Sequence, residues 1–319
     1  MPYYVGVDAG GTKTECAVGD DRSTLGRSTA ASCKVQRVGE TAAHAALHDA
    51  VVRACDAAGV SPQNVARTMI GIAGASDLQL AALIKRMASE ILSGEVEVVG
   101  DNVIAMEAAF RSGAGVITIA GTGSIVYGRN ERGECARAGG WGPIISDEGS
   151  AEWIGRRAAE AAVRAVDIGQ TTTVTNVIMK AWHVATREDI VRLANGFPRP
   201  EFAALYPHLL AAADAGDGVA RDILMRAGAE LAGLAKIVIR RLWPGRQSVR
   251  VCVAGGVFAS STLVRQVFSN SLRAERPDVA VNFGNVHPVA GALAIARRGA
   301  QTAQAAPAGP AGHPTQSAR

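Results

Sequence analysis

Apolar and polar positions alternate in two hairpin-like stretches of the chain, and each stretch has glycines at its turn. Residues 3–19 carry two apolar runs joined by a glycine turn, and the alternation after Thr14 predicts a second strand rather than a helix. A strand over 116–120, the tip Gly-Thr-Gly-Ser and a strand over 125–128 repeat this pattern. Near residue 249 a further strand leads into two glycines. The chain is therefore predicted to present three glycine turns.

The remaining pattern predicts strands and helices, followed by a long helical region. Helices are predicted over 41–59, closed by Gly59, over 78–92, and after Asp101 through Glu107 and Phe110, with strands over 67–73 and 95–100. Helical periodicity then covers 150–243, with breaks at Gly169, Gly196–Pro198 and Gly216. The two hairpins are weak internal echoes about one domain apart, which indicates a duplicated fold whose halves face each other.

Composition and charge are those of an ordinary globular protein. The chain has 319 residues, 48% of them hydrophobic and 19% charged, which is long enough for two domains of typical size. Lys and Arg number 33 against 29 Asp and Glu, and this small excess is spread along the chain. Nucleic-acid-binding proteins usually concentrate basic residues in one patch, so we expect no nucleic-acid partner.

Cysteine usage and hydropathy indicate a cytoplasmic protein. Five cysteines stand far apart, at positions 16, 33, 55, 135 and 252, without a C-x-x-C pair, which favours reduced thiols over disulfides or structural zinc. The first residues lead almost directly into a strand, so no signal peptide is expected. The longest weakly polar stretch, 113–128, is interrupted by glycine and too short to span a bilayer.

The glycine turns suit a nucleotide, although neither common phosphate-binding signature fits. Thr12 separates Gly11 from Lys13, which excludes a P-loop, and the spacing G-x-G-x-x-G is absent. Two hairpin tips from opposed halves could instead bracket phosphates with backbone N–H groups and hydroxyls, since glycine allows close backbone approach. Asp8, just before the first tip, could hold Mg²⁺ through water.

These motifs, in this order, resemble those of the sugar kinase/Hsp70/actin superfamily. VGVDAGGTKT and ITIAGTGSIVYG look like its two phosphate motifs, VCVAGGVF like its adenosine motif and HPVAGALAIA like its closing helix. The segment GGWGPIISDEGSAEWIG, 139–155, is similar to the N-acetylglucosamine kinase branch of the BadF/BadG/BcrA/BcrD ATPase family. The resemblance covers residues 3–298.

The resemblance implies an α/β fold of two actin-like (ribonuclease H-like) domains with an ATP and sugar cleft between them. The expected domains are 1–112, joined by a helix over 288–299, and 113–287, which contains the helical region 150–243. Residues 300–319 are rich in Ala, Gly, Pro and Gln, and this composition predicts a disordered tail. The family alone makes a homodimer plausible.

The resemblance also implies roles for individual residues. Asp101 matches the family's catalytic base, and Asp8 lies near Mg²⁺. The implied ATP-binding set is Asp8, Gly10, Gly11, Thr12, Lys13, Thr14, Gly121, Thr122, Gly123, Ser124, Gly255 and Gly256. The implied sugar-binding set is Lys34, Asp101, Thr122, Gly140, Trp141 and Asp147.

Plainer roles remain open for several of these residues. Asp8 and Asp101 could cap a turn and a helix, and Asp147 and Glu148 could be acids of a first helical turn. Trp141 could belong to the core, and Lys13 could point to solvent.

Lys34 departs from the family pattern. The family often places an asparagine about there and uses it on sugar hydroxyls. The lysine could favour an acidic sugar such as a muramic-type sugar, or it could be solvated.

The chain is thus expected to be an ATP-dependent kinase of an amino sugar: N-acetylglucosamine, glucosamine or a relative such as N-acetylmuramic acid. A sugar hydroxyl would attack the γ-phosphoryl group while Asp101 accepts its proton. One alternative is an activator-type ATPase, which needs cysteines for an iron–sulfur cluster after the second phosphate motif, where only Cys135 stands. Another is a nucleotide sensor that transfers no phosphate.

Overall fold

Two five-stranded sheets, each containing one glycine-tipped hairpin, form the frame of the molecule. A computed structural model describes residues 2–245 and 247–305. The strands of the first sheet are β1 (Tyr3–Ala9), β2 (Lys13–Gly19), β3 (Thr24–Ala31), β4 (Val65–Ile72) and β5 (Glu95–Val99). Those of the second are β6 (Gly115–Ala120), β7 (Ser124–Arg129), β8 (Cys135–Gly139), β9 (Arg250–Ala254) and β10 (Ala280–Asn282). The orders are β3-β2-β1-β4-β5 and β10-β9-β6-β7-β8, so the sheets share one topology.

The first sheet brings two carboxylates to the same edge. β1 pairs antiparallel with β2, and it runs parallel to β4, which in turn runs parallel to β5. Parallel strands end at the same edge of a sheet, where α/β proteins bind their ligands. Asp8 lies near the end of β1, and Asp101 follows β5.

Helices cover both faces of the first sheet. The helices of this region are α1 (Val35–Val38), α2 (Glu40–Ala58), α3 (Leu78–Ile91), the 3-10 helix Pro62–Asn64 and α4 (Asp101–Phe110). Buried residues of α2 and α3 pack on one face, where Leu47 and Ile84 are fully buried. The other face packs against α4 and the last helix, α12 (Pro288–Ala305). We call this unit, with α12, the first lobe.

The second lobe consists of the second sheet, a helical layer inserted between β8 and β9, and two helices between β9 and β10. Its helices are α5 (Ala151–Asp167), α6 (Val174–Trp182), α7 (Arg187–Ala194), the 3-10 helix Phe202–Leu205, α8 (Tyr206–Asp214), α9 (Gly218–Leu242), α10 (Gly256–Ser260) and α11 (Thr262–Glu275). The largest core cluster joins α5, α8, α9 and α11 to one face of this sheet.

Helix α4 connects the lobes by packing on both sheets. Ile104 lies in a buried cluster with Leu293 of α12 and Met69 of β4. On the same helix, Met106 and Phe110 pack against Ile117 of the second sheet. Because one short helix belongs to both cores, it is the structural connection around which the lobes meet.

Most predicted elements are present at the predicted positions. Both hairpins form, Gly59 ends α2 with a left-handed φ of 65°, and the helical region breaks at Gly169, at 196–198 and at Gly216. The pattern missed β3, β8 and β10 and the helices α1, α10 and α11. The predicted tail, 300–319, begins within α12, which runs to Ala305, and its part over 306–319 lies outside the described residues.

Candidate active site

The two hairpin tips meet across the cleft between the lobes. The hydroxyl oxygens of Thr12 and Thr122 lie 3.3 Å apart. A Cβ added to Gly11 would lie 3.2 Å from the Thr122 hydroxyl oxygen. The glycine therefore leaves room for the approach of the second tip, and both predicted phosphate turns line one cleft.

The first tip is tied to the loop that carries Lys34. The Thr14 hydroxyl is buried, donates to the Ala31 carbonyl (2.8 Å) and accepts from the Cys33 N–H (3.1 Å). Ser32 donates its hydroxyl to the Gly10 carbonyl at 3.1 Å. Thr14, predicted to wrap phosphates, thus has its hydroxyl engaged inside the first lobe, where it fixes the loop beside the tip.

Lys13 lies at the mouth of the first hairpin and has a partner there. Its ammonium group forms an ion pair with Glu15 at 2.7 Å, and its side chain is 60% exposed. Such an exposed pair contributes little energy, because water screens both charges. Lys13 is therefore free to exchange Glu15 for another anion at low cost.

The second tip is held by the first turn of α5. The Ala151 N–H donates to the Gly121 carbonyl (2.9 Å), and the Glu152 N–H donates to the Thr122 carbonyl (3.2 Å). Ser124, buried at the start of β7, donates its hydroxyl to the Glu148 carbonyl at 2.8 Å. The first two bonds satisfy helix N–H groups that have no partner within α5, and all three fix the position of the tip.

The third glycine turn packs directly beside the second tip. Gly255 follows β9, has a φ of 98° and precedes α10. A Cβ at Gly255 would lie 2.3 Å from the Ala120 carbonyl oxygen, whereas a Cβ at Gly256 would meet nothing within 4 Å. Gly255 is thus required by the backbone, while Gly256 opens towards free space.

Asp8 and Asp101 form an acidic pair on the first lobe. Burial raises the pKa of Asp8 to about 7, and the nearby charge of Asp101 adds to this shift. Burial also raises the pKa of Asp101, which its own hydrogen bond from the Asn102 N–H (2.9 Å) and the charge of Lys34 oppose. Gly100 is the N-cap of α4 and Asp101 its first residue, so the carboxylate is not the cap.

Asp147 reaches the same cleft from the second lobe. It is buried, has a φ of 62° and precedes α5 by several residues, so it is not a first-turn acid. A Cβ added to Gly123 would lie 2.8 Å from its carboxylate oxygen. Burial raises the pKa of Asp147, whereas the Gly142 N–H and the charge of Lys34 lower it.

Lys34 therefore acts on one carboxylate of each lobe. It is half-buried at the start of α1, and its charge favours the ionised forms of Asp101 and Asp147. This arrangement makes Lys34 a counter-ion inside the cleft.

Trp141 lies at the surface of the cleft wall rather than in the core. Its side chain is 65% exposed, and the Arg137 guanidinium carbon lies 3.8 Å from its ring centroid. Gly140, which precedes it, has a φ of 71° and would place a Cβ 2.9 Å from Ile125. The left-handed backbone of Gly140 thus turns the chain so that Trp141 projects outwards.

The acidic pair fits a divalent cation. Asp8 is buried, and its pKa is raised to about 7 in part by the charge of Asp101, so added positive charge is favourable there. Magnesium commonly uses one or two protein carboxylates together with phosphate oxygens and water. Among residues 2–245 and 247–305 no cluster of three or more His, Cys, Asp or Glu side chains could ligate a metal, so phosphates would have to complete the shell.

Sequence analysis missed one group of residues beside the site. Arg37 of α1 donates to the Gly11 carbonyl and forms an ion pair with Glu201 of the second lobe at 2.5 Å. Glu152 of α5 accepts from the Ala203 N–H at 2.9 Å. No periodicity or motif marks these polar residues, because their partners lie more than 25 residues away.

The chain is similar to known proteins over nearly its whole length. The model of the BadF/BadG/BcrA/BcrD ATPase family matches residues 5–296. The chain is 30% identical over 302 residues to an N-acetylmuramic acid/N-acetylglucosamine kinase of Clostridium acetobutylicum, covering 93% of this chain and 99% of that protein.

Two solved structures share the fold. One, assigned as an N-acetylglucosamine kinase of Chromobacterium violaceum, gives a TM-score of 0.74 at 24% identity, covering 92% of this chain and 99% of that one. The other, a ROK family glucokinase from Streptomyces griseus with glucose and AMPPNP, gives 0.60 at 20% identity and covers 93% and 99%. The expected architecture of two actin-like α/β domains is confirmed.

Within the described part of the chain, no helix combines the length and apolar character that crossing a bilayer requires.

From the match over residues 5–296, the chain belongs to the BadF/BadG/BcrA/BcrD ATPase family.

Proposed function

We propose that the protein is an ATP-dependent amino-sugar kinase, with Asp101 as the general base. The observation that carries this proposal is the convergence of two glycine tips and an acidic pair in one interlobe cleft. A family of ATPases supports ATP as the nucleotide. Phosphoryl transfer depends mainly on alignment and charge neutralisation, which such a cleft supplies.

The tips bind the phosphates in this proposal. Backbone N–H groups of 10–12 and 122–123 donate to phosphate oxygens, with the Thr12 and Thr122 hydroxyls as further donors, whereas the Gly121 N–H donates to the Gly123 carbonyl (2.9 Å) and shapes the tip. Gly256 opens to free space where the nucleoside can approach. Asp8, with Asp101 beside it, would hold Mg²⁺, which neutralises phosphate charge when bound.

Asp101 accepts the proton of the attacking hydroxyl. Its Oδ1 is oriented by the Asn102 N–H, and Lys34 together with the N-terminus of α4 favours the ionised carboxylate that a base must be. The proton moves from the sugar hydroxyl to a carboxylate oxygen of Asp101 as the oxygen bonds to the γ-phosphorus. Closure of the lobes keeps water out, so the phosphoryl group reaches the sugar.

The second lobe and the Lys34 loop would hold the sugar. Trp141 offers an exposed ring face, and Asp147 offers a carboxylate whose position is fixed by the backbone. The Clostridium relative is named for two N-acetylated amino sugars, which supports the same substrate class here. Two acidic groups, Asp101 and Asp147, already face the charge of Lys34. Comparing N-acetylmuramic acid with N-acetylglucosamine as acceptors decides whether Lys34 also favours an acidic sugar.

The activator alternative has little support. Cluster iron is held by thiolates, and four of the five cysteines are buried, three of them in the core of the first lobe, with only Cys135 exposed. No group of three or more His, Cys, Asp or Glu side chains in the described part of the chain could hold a metal. The sensor alternative would need no acceptor for a hydroxyl proton, so an oriented Asp101 counts against it.

The test is ADP release measured with a panel of acceptors: N-acetylglucosamine, glucosamine, N-acetylmuramic acid, glucose and no sugar. We expect strong release with at least one amino sugar and little without sugar. Release that is independent of every sugar would favour an ATPase, and no release across the panel with ATP still bound would favour a sensor.

A further inference from the structure

Arg37 lies between the two lobes at the mouth of the cleft. Its guanidinium group donates to the carbonyl of Gly11, at the first hairpin tip, and forms an ion pair with Glu201 at 2.5 Å. Gly11 and Arg37 belong to the first lobe, whereas Glu201 immediately precedes the 3-10 helix Phe202–Leu205 of the second. One side chain thus connects a phosphate tip to the opposite lobe.

The Glu201 end of this connection is anchored to the second tip. The Ala203 N–H, two residues after Glu201, donates to the Glu152 carboxylate at 2.9 Å. The Glu152 N–H in turn donates to the Thr122 carbonyl at 3.2 Å. Phe202 is buried in the core of the second lobe, so this segment cannot drift away from α5.

The contacts therefore form a ring around the cleft mouth. It runs from the Gly11 tip through Arg37 and Glu201 to Glu152 and the Thr122 tip, and the hydroxyl contact between Thr12 and Thr122 closes it. We call the pair of Arg37 and Glu201 the interlobe clasp. It is the part of this ring that crosses from lobe to lobe outside the tips themselves.

We propose that the interlobe clasp holds the closed arrangement in which the two phosphate tips face each other, making Arg37 a positioning residue for phosphoryl transfer. The side chains of Arg37 and Glu201 are 37% and 47% exposed, so the ion pair can break and form again without a large desolvation cost. An ion pair that breaks and re-forms easily suits a cleft that must open for substrates and close during transfer.

The inference rests on the proposed kinase function for its kinetic consequence. If the clasp fails, the cleft closes less completely, sugar is held less tightly, and water competes for the γ-phosphoryl group. Loss of Arg37 should raise the sugar KM and the ratio of ADP released to sugar phosphate formed. A purely structural role would lower the amount of folded enzyme without changing that ratio.

The experiment compares wild type with Arg37→Ala, Glu201→Ala and the double variant. Arg86→Ala is the control, because Arg86 pairs with Glu40 at 3.0 Å and both residues belong to the first lobe, so this ion pair does not cross the cleft. We expect each clasp variant to raise the sugar KM about threefold to tenfold, as exposed ion pairs and backbone hydrogen bonds allow. The sugar KM of the double variant should rise no further than that of Arg37→Ala alone, because both substitutions break the same connection.

Small-angle X-ray scattering of the full chain without ligands supplies a readout that needs no activity. We expect a larger radius of gyration for both clasp variants and a wild-type value for Arg86→Ala. An unchanged radius in Arg37→Ala, together with an unchanged ratio of ADP to sugar phosphate, would overturn the clasp.

The two proposals fail separately. If the wild type phosphorylates no sugar in the panel, the kinase proposal fails, and the scattering comparison alone decides the clasp. The other outcome is an active wild-type kinase in which the increases in sugar KM of the two single variants multiply in the double variant. That result would overturn the clasp and leave the kinase proposal standing.

Discussion

At the scale of residues, the cleft contains buried carboxyl groups whose ionised forms are disfavoured by burial. Asp8 and Asp101 on the first lobe and Asp147 on the second all have pKa values raised by burial. Lys34 compensates two of them. In a protein selected only for stability such acids would be neutral or exposed, so their burial together indicates a binding role.

The first residue-scale prediction concerns Asp101. Asp101→Asn keeps the shape of the side chain but removes the proton acceptor, so turnover should fall about 10²-fold or more. AMP-PNP affinity, measured by calorimetry, should stay near the wild-type value. Near-native turnover in this variant would assign the base to another group.

The second concerns Asp8 and pH. Its pKa is about 7 in the folded protein against an ordinary value of 3.8, so the folded state retains a proton that the unfolded chain has lost between these values. Stability from this proton is therefore present at low pH and is lost as pH rises towards 7, by at most about 4 kcal/mol. Without ligands, Asp8→Asn should melt above wild type at pH 8.

That difference should shrink as the pH approaches 4, where Asp8 is protonated in the folded state and the unfolded chain begins to take up the same proton. If the difference in melting temperature between the two proteins stays constant from pH 8 to pH 4, the pKa of Asp8 is not raised.

At the scale of elements, glycines decide how closely the turns approach. Gly11 faces Thr122, Gly123 faces Asp147, and Gly255 faces the Ala120 carbonyl. Each pair joins turns that are distant in sequence, so the glycine is required by a partner that the local pattern does not reveal.

The third glycine turn allows an element-scale prediction. Gly255→Ala puts a Cβ 2.3 Å from a backbone oxygen at a φ of 98°, and should destabilise the protein by about 2 kcal/mol or more. Gly256→Ala adds a methyl group to open space, so the denaturation midpoint should stay unchanged. If the nucleoside approaches this turn, AMP-PNP affinity of Gly256→Ala should nevertheless fall about tenfold. Wild-type affinity in that variant would place the nucleotide elsewhere.

Strand β3 illustrates what the pattern of apolar residues cannot predict. Its buried position is Gly26, where a Cβ would lie 2.3 Å from the Ala54 carbonyl of α2. Close helix packing selects glycine there, and glycine carries no hydrophobic signal. The hairpins and α2, by contrast, were predictable because their periodicity and glycine stops are local.

At the scale of the whole molecule, the duplicated topology was predictable and the connections between lobes were not. Two similar hairpins in the sequence indicated two facing halves, and the two sheets share one strand order. The shared helix α4, the charge of Lys34 on both lobes and the interlobe clasp depend on folding that brings distant residues together. Motifs therefore located the candidate site residues, whereas the geometry that joins them came only from the structure.

The most direct test of the central claim follows the phosphoryl group itself. The protein would be incubated with ATP labelled in its γ-phosphate and with each amino sugar, and the label in sugar phosphate and in free phosphate would be quantified against ADP. We predict that nearly all label leaves ATP only in the presence of an amino sugar and is recovered on that sugar, mole for mole with ADP. Label recovered as free phosphate at the same rate with and without sugar would contradict the kinase assignment.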